Sequence, residues 1–294
     1  MPNSLPAPPR ALVRGVHAVL DVLAALLGLP RLPAGPDMRH LEGMEIAHRG
    51  QSSEAPENTL EAIECAHARG AKAVEFDVGR TRDGHYVLMH DEGVDRTTDH
   101  VGPLNQWSLA QVQGMCVRRD ASHTWGAPED VVRVPTLEQA LRVSARLGLM
   151  ADVEVKEDVD PQELAQQLGP LMDELNLWGR VWVSSFYPQH LHALRLALPK
   201  LVTAINVGIR VTPNPAVNTL LASQWLHDFL GVSIVKPEHP LVTPERLRLW
   251  RGVGKAVMVW TVNTAAQKRR AREHGVALIT DCVGTTCASR AHDA

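Results

Sequence analysis

The sequence predicts an α/β protein and, within that class, a TIM (β/α)8 barrel with a small insertion subdomain after the second strand. From residue 44 onward, eight short β-rich runs alternate with helix patterns, an order typical of a parallel sheet that closes on itself. The length of 294 residues is one that a single barrel commonly fills. An open doubly wound sheet is the alternative, but no glycine-rich phosphate loop follows any early strand. We therefore expect the barrel to occupy residues 41–294.

The eight predicted strands are short runs of apolar and β-branched residues. In chain order they cover residues 44–47, 73–78, 149–156, 181–186, 201–206, 231–236, 256–262 and 278–281. Helix patterns lie between them, among them "NTLEAIECAHARG", "TLEQALRVSARLG", "PQELAQQLGPLMDEL" and "TAAQKRRAREHG". In the first helix, we expect Asn58 or Thr59 to be the cap and Glu57 to be an anion in the first turn.

One connection, over about residues 79–135, is too long for an ordinary barrel loop. Connections beyond about 15 residues are usually functional or disordered. Residues 82–84, Arg-Asp-Gly, predict a hairpin turn, and "HYVLMH" predicts the strand that returns from it. The later "SLAQVQGM" has a helical pattern. We interpret the segment as a small subdomain inserted over the mouth of the barrel.

Residues 1–40 form an N-terminal extension that contains one apolar stretch, residues 16–29. This stretch is too short to span a bilayer, and Asp21 interrupts it. It fits an amphipathic helix that either packs on the barrel or lies on a membrane surface. Arg10 and Arg14 before the apolar run also fit a signal peptide. A second apolar stretch, residues 215–235, is broken by polar residues and predicts a loop and a helix.

Charge and cysteine usage narrow the class of protein. Thirty Lys and Arg against 33 Asp and Glu give a net charge of −3, which offers no electrostatic footprint for nucleic acid. The four cysteines show no metal-ligand spacing, and in a chain of this length we expect free thiols: Cys65, Cys116, Cys282 and Cys287. Free thiols favour an intracellular compartment, so we expect a protein of the cytoplasm or of the periphery of a membrane.

Carboxylates share one face of two neighbouring predicted strands. Glu75 and Asp77 alternate with apolar residues in "VEFDV", as Glu154 and Lys156 do in "DVEVK". Barrel active sites form at the carboxyl ends of the strands, and buried charges there need a metal ion or ionic partners. Three converging oxygens suit Mg²⁺ or Ca²⁺ far better than zinc. The alternative is a buried salt-bridge cluster with Arg49 and Lys156.

Two histidines end strands near these carboxylates: His48 ends the first strand, and His90 ends the hairpin strand. An isolated histidine often has only a structural role, but two beside a carboxylate cluster fit a general acid and a general base. Arg49 and Lys156 supply a planar fork and a point charge for a phosphate. This combination fits phosphodiester cleavage. Acyl transfer needs an activated nucleophile, and the sequence has no G-x-S-x-G elbow.

Six segments together resemble the glycerophosphodiester phosphodiesterase family. They are "AHRGQSSEAPENTLEAI", "VEFDV", "TRDGHYVLMHDEGVDRTTD", "VPTLEQAL", "DVEVK" and "VWTVN", in the order and spacing of that family from about residue 45 to residue 281. The apolar stretch before "VTPERL" is similar to that of the membrane-associated mammalian branch, although here it is too polar to span a bilayer.

The resemblance implies a TIM barrel with an insertion after the second strand, and it implies a role for eight residues. The implied ligands of a divalent metal ion, Mg²⁺ or Ca²⁺, are Glu75, Asp77 and Glu154. The implied acid–base pair is His48 and His90. The implied substrate-binding residues are Arg49 and Lys156 for the phosphate and Trp260 for the glycerol or alcohol side.

The leading hypothesis is therefore metal-dependent hydrolysis of glycerophosphodiesters, which are small molecules, to glycerol phosphate and an alcohol. An allied hypothesis is a lysophospholipase D-type activity on lysophospholipids or N-acyl glycerophosphoethanolamines. The apolar stretches of the chain suggest it, because such substrates retain an acyl chain. A hypothesis of another class is a catalytically silent barrel that serves as a binding protein. Against it, every position that the family uses for chemistry is filled here.

Overall fold

The computed structural model describes residues 20–127 and 130–287, and its centre is a ring of parallel strands. Around the ring, the strands follow one another in chain order: β1 (Glu45–His48), β2 (Ala73–Arg80), β4 (Met150–Val155), β5 (Val181–Ser185), β6 (Val202–Val207), β7 (Ile234–Pro237), β8 (Ala256–Val259) and β9 (Ala277–Thr280). The ring closes because β1 pairs in parallel with both β2 and β9. The predicted eight-stranded barrel is thus confirmed, and each predicted strand overlaps an observed one.

Helices cover the outside of the ring. They are α1 (residues 20–26), α2 (Leu60–Ala68), α3 (Leu109–Gly114), α4 (Leu137–Arg146), α5 (Pro161–Glu174), α6 (Pro188–Ala197), α7 (Pro215–Leu221), α8 (Gln224–Phe229), α9 (Pro244–Gly252) and α10 (Ala265–Glu273). Thr59 caps α2, because its hydroxyl accepts the Ala62 N–H at 3.1 Å. Of the two predicted cap residues, Thr59 is therefore the right one. The prediction for Glu57 was wrong, because the residue precedes the cap and the first-turn acid is Glu61.

The interior of the barrel is apolar at one end and polar at the other. Small and apolar side chains such as Ile46, Ala73 and Ile279 fill the lower end, which Met38 and Leu41 close from below. Because side chains alternate along a strand, Glu75 and Asp77 share the inward face with Ala73. The inward charges therefore lie toward the carboxyl ends of the strands, above a packed floor.

The segment between β2 and α4 begins with β3 (Tyr86–Leu88), which returns antiparallel along β2. Tyr86 lies opposite Arg80, and Leu88 lies opposite Val78. The segment also contains α3 and has a hydrophobic cluster of its own around Val94, Leu104, Val112 and Met115. The predicted hairpin is confirmed. The limits assigned to the N-terminal extension and to the insertion stay predictions.

Helix α1 packs on the outer layer but leaves much of its apolar surface exposed. Ala24 is buried in the main cluster, and Asp21 accepts a hydrogen bond from the Trp225 indole N–H at 3.0 Å. The exposed apolar residues of this region are Val22, Leu23, Leu26, Leu27 and Leu29. The part of the predicted stretch before residue 20 lies outside the described residues. Within residues 20–127 and 130–287, no helix combines the length and the apolar character that crossing a membrane requires.

The prediction of four free thiols was wrong for two of them. Cys282 and Cys287 form a disulfide, and their Cα atoms lie 6.1 Å apart, a usual separation for a bridged pair. The turn after β9 brings the two residues together, which the five-residue spacing alone did not indicate. Cys65 and Cys116 are free.

Candidate active site

Strand register brings the predicted site residues together at the carboxyl end of the barrel. In the β1–β2 pair, His48 lies beside Glu75, and in the β2–β4 pair, Asp77 lies beside Glu154. His90 arrives by a different route, because the hairpin strand runs back along β2. The Met89 N–H donates to the Asp77 carbonyl at 3.1 Å, so Met89 lies opposite Asp77 and His90 follows directly after it.

The three carboxylates of Glu75, Asp77 and Glu154 converge: one oxygen of each lies within 4.8 Å of the others. Glu75 and Asp77 are almost wholly buried, each about 1% exposed. Burial first, and then the charge of Asp77, raises the pKa of Glu75 to about 8. Burial also opposes ionisation of Asp77, but Lys156 and Arg49 outweigh it and hold the pKa of Asp77 well below its usual value.

The two predicted cations lie against this triad. The Lys156 ammonium is 2.7 Å from an oxygen of Asp77 and 2.7 Å from an oxygen of Glu154. Arg49 places its Nε 3.3 Å from Asp77, and its backbone N–H donates to Glu75 at 3.0 Å. Both features weighed from the sequence are therefore present at once: converging carboxylates, and salt bridges that partly neutralise them.

His48 is held by Asp281, which directly follows β9, the last strand of the ring. Its Nδ1 lies 2.6 Å from Asp281 Oδ1, and its Nε2 lies 4.0 Å from Glu75 Oε2. Burial and the Arg49 charge lower the pKa of His48, but the hydrogen bond to Asp281 and the charges of Asp281 and Glu75 outweigh them and raise it. Because a carboxylate only accepts, Nδ1 carries the proton in this pair and Nε2 faces the triad.

His90 has a similar arrangement but is more exposed. Its Nδ1 lies 2.7 Å from Asp91 Oδ1, and the Arg96 Nε donates to the other oxygen of Asp91 at 2.6 Å. Although burial opposes it, the hydrogen bonds from His90 and Arg96 hold the pKa of Asp91 well below its usual value, with the bond from His90 the largest contribution. Both histidines are thus oriented through Nδ1 by an ionised carboxylate.

Several polar residues of the site were not predicted for their part in it. The Lys236 ammonium is buried inside the barrel, 2.7 Å from Asp152 and 3.6 Å from Glu154. Asn206 donates to Glu154 at 2.9 Å. The sequence does contain a signal for Lys236: it is a charged residue within the predicted strand in "SIVKP", as Glu75 is in "VEFDV".

Asn58 is buried and takes a left-handed backbone conformation, φ 57°. Its side-chain N–H donates to the Asp77 carboxylate at 2.9 Å, and its side-chain oxygen accepts the Asp77 backbone N–H at 3.0 Å. It therefore fixes a carboxylate of the triad and does not cap α2. Asp281 is likewise held, because the Asn263 amide donates to it at 2.7 Å.

Trp260 lies at the mouth, just after β8. Its indole N–H donates to the Lys236 carbonyl at 2.8 Å, and its ring packs edge to face on Phe186, which follows β5, with the ring centroids 5.6 Å apart. Gly208, after β6, lies close enough to the Trp260 ring that a Cβ there would be 3.7 Å from it. Trp260 thus forms an aromatic wall between the ends of β5, β6 and β8.

The donor set fits a hard divalent cation. All three converging groups are carboxylates, and the triad contributes no sulfur or nitrogen, the ligands that zinc prefers. Burial of several like charges is costly unless cations neutralise them, and among the described residues no lysine or arginine side chain forms an ion pair with Glu75, whose pKa burial and Asp77 raise to about 8. Glu75, Asp77 and Glu154 are therefore suitable ligands for such an ion.

Comparison with known proteins agrees with the fold and identifies a family. Residues 48–285 match the model of the glycerophosphoryl diester phosphodiesterase family. Glycerophosphodiester phosphodiesterase 1 of Mus musculus is 33% identical over 265 residues, which is 83% of this chain and 79% of the mouse protein.

Solved structures share the fold. The crystal structure of a putative glycerophosphoryl diester phosphodiesterase from Silicibacter pomeroyi aligns with a TM-score of 0.68 at 24% identity, over 86% of this chain and 93% of the other. A phosphodiesterase of Oleispira antarctica, solved in complex with the product sn-glycerol-3-phosphate, aligns with a TM-score of 0.67 at 23% identity, over 83% and 95% of the two chains.

The family match and the relatives together show that the protein is a phosphoric diester hydrolase. Within that class, the chain belongs to the glycerophosphoryl diester phosphodiesterase family. The family resemblance drawn from the six sequence segments is thereby confirmed.

Proposed function

We propose that the protein hydrolyses glycerophosphodiesters to glycerol phosphate and an alcohol, with a divalent metal ion and with His48 and His90 as the acid–base pair. The observation that carries the proposal is the carboxylate triad, with oxygens within 4.8 Å of one another, beside two histidines that are each held at Nδ1 by an aspartate. A phosphodiester needs charge neutralisation and proton transfer on both sides of phosphorus, and this site combines both.

In the proposed site, Glu75, Asp77 and Glu154 hold the metal ion, Mg²⁺ or Ca²⁺. When bound, such an ion neutralises phosphate charge and lowers the pKa of an oxygen nucleophile. Arg49 and Lys156 bind the phosphate oxygens as a fork and a point charge. One histidine removes a proton from the attacking hydroxyl through Nε2, and the other gives a proton to the departing alcohol. Trp260 contacts the glycerol or alcohol part at the mouth.

A hydrolysis panel tests this proposal directly. We expect turnover of glycerophosphocholine, glycerophosphoethanolamine or glycerophosphoinositol with Mg²⁺ or Ca²⁺, a fall to background with EDTA, and recovery when the ion is restored. The measurement is mass-spectrometric detection of glycerol phosphate and the free alcohol. Turnover that EDTA leaves unchanged would contradict the metal assignment. Binding of these diesters without any turnover would favour the silent barrel.

A second candidate, action on lysolipids at a membrane surface, is supported by the surface beside the mouth. Exposed Ile209, Val217 and Leu220 follow β6 in the chain, and Ile209 comes directly after Gly208, which lies close to Trp260. Helix α1 carries further exposed leucines and packs beside α8, where its Asp21 accepts the Trp225 indole N–H. Arg210, exposed directly after Ile209, adds a positive charge to this surface. An apolar, cation-bearing surface of this kind suits an anionic membrane.

Liposome sedimentation tests the membrane contact. We expect the protein to sediment with phosphatidylserine-containing vesicles, and the double variant Leu26→Ser, Leu27→Ser to lose about tenfold or more of this binding. These side chains are 78% and 73% exposed, so their removal costs the fold little but removes area that a membrane would bury. Leu249→Ser, at a residue 57% exposed on α9, is the matched control. Equal sedimentation of the wild type, the double variant and Leu249→Ser would rule out a membrane contact through Leu26 and Leu27.

A further inference from the structure

The Arg96 guanidinium lies between two carboxylates from different parts of the chain. Toward Glu57, before α2, it donates two hydrogen bonds of 2.8 Å. Toward Asp91, after β3, it donates bonds of 2.6 Å and 3.2 Å, one to each oxygen. A planar fork that contacts both oxygens of each partner fixes the carboxylates in orientation as well as in distance.

Each of these carboxylates also holds a residue of the candidate site. Glu57 Oε1 accepts a hydrogen bond from Arg49 Nη1 at 2.9 Å, and the Nε of the same arginine lies 3.3 Å from an oxygen of Asp77. On the other side, Asp91 Oδ1 accepts the Nδ1–H of His90 at 2.7 Å. Arg96 is therefore the centre of a continuous path from Arg49 through Glu57, and then through Asp91, to His90.

The other histidine does not depend on this path. Asp281, which holds His48, is itself held by the Asn263 amide at 2.7 Å and by the Ser52 hydroxyl at 3.3 Å. The two histidines thus have separate supports. His48 is held by Asp281, a buried residue directly after β9, whereas His90 is held by Asp91, which pairs with Arg96. Loss of Arg96 should consequently disturb His90 and Arg49 while the hydrogen bond between His48 and Asp281 is kept.

We propose that Arg96 is a positioning residue that sets the orientation of His90 through Asp91 and of Arg49 through Glu57. The proposal rests on the proposed function for the roles of those two residues. The hydrogen bonds of Arg96 go to Glu57 and Asp91 and not to the carboxylate triad, so we expect it to act on turnover through these two partners. The aspartate selects the tautomer of His90 that leaves Nε2 free, and Arg96 keeps that aspartate within hydrogen-bond distance of Nδ1.

The kinetic test compares Arg96→Gln and Arg96→Lys with Arg142→Gln. Arg142 is a matched control, because it also pairs with two carboxylates and its side chain is also 41% exposed. It lies on α4, and its partners are Glu138 of α4 and Glu174 of α5. We expect Arg96→Gln to lose about 10–100-fold in kcat on glycerophosphocholine and also to raise KM, because His90 and Arg49 both lose their support. Arg96→Lys should recover little, since one point charge cannot hold both carboxylates. Arg142→Gln should retain wild-type constants.

A double variant separates positioning from general destabilisation. If Arg96 acts on kcat through Asp91, then Arg96→Gln combined with Asp91→Asn should lose no more in kcat than the more impaired single variant. Multiplicative losses, or an Arg96→Gln protein with wild-type kcat and KM, would overturn the proposal. Thermal melting of every variant checks that the fold is kept, and Asp91→Asn breaks the same path if the arginine variants melt early.

A readout without turnover distinguishes failure of this proposal from failure of the proposed function. The ¹⁵N chemical shifts of the His90 ring should report Nδ1–H in the wild type and a mixture of tautomers in Arg96→Gln, while His48 keeps its signals. If the wild type hydrolyses no diester, the proposed function fails, and the ¹⁵N shifts still decide the positioning role. Unchanged His90 ¹⁵N shifts in Arg96→Gln would contradict the positioning role of Arg96.

Discussion

Glu75→Gln is expected to abolish metal-dependent hydrolysis while the barrel stays folded. Glu75 is one of the three converging carboxylates, and an amide in its place removes one negative charge from the site that would hold a divalent cation. The substitution also removes a group whose ionisation burial and Asp77 oppose, so the metal-free variant should be as stable as the wild type or more stable. Glu154→Gln should lose activity in the same way.

Thermal unfolding with and without metal ion measures this effect apart from turnover. An ion at 100 times its Kd stabilises a folded protein by about 2.7 kcal/mol, so the wild type should melt several degrees higher with Mg²⁺ or Ca²⁺. Glu75→Gln should lose that shift. Glu163→Gln is the control, because its carboxylate pairs with Arg80 on the outside of the barrel and should leave both melting shift and activity intact. Normal metal binding with full activity in Glu75→Gln would rule out the triad assignment.

The barrel and the carboxylate triad could be predicted because both follow from local patterns. Alternation of side chains along a strand placed Glu75 with Asp77, and the carboxyl ends of neighbouring parallel strands meet at one edge. The hairpin after β2 was also local, since its turn lies in three residues. These are the features for which a few neighbouring residues decide the structure.

The supports of the two histidines could not be predicted in the same way. Asp281 is 233 residues from His48, and only closure of the ring brings the last strand beside the first. The pairing of Cys282 with Cys287 depends on the path of a turn, and cysteine spacing does not determine such a path. Glu57 looked like a helix anion, because nothing local indicates that Arg49 and Arg96 approach it.

Removal of each histidine is the second large effect we expect. General acid–base catalysis by a positioned side chain contributes about 10²–10⁴-fold, so His48→Ala and His90→Ala should each lose roughly that much in kcat. Metal affinity should be largely kept, because neither imidazole belongs to the converging carboxylates. His100→Ala is a matched control: its Nδ1 also faces an aspartate, Asp99, at 2.8 Å, but away from the triad.

Leaving groups separate the roles of the two histidines. The residue that protonates the departing alcohol matters less when that alcohol is already acidic, so a p-nitrophenyl diester should rescue one variant and not the other. Glycerophosphocholine, whose alcohol is a poor leaving group, should show both losses in full. If both variants respond alike to the acidity of the leaving group, the division of labour is wrong. A loss of metal affinity in His48→Ala would then identify its Nε2, 4.0 Å from Glu75, as a fourth ligand of the ion instead of an acid or base.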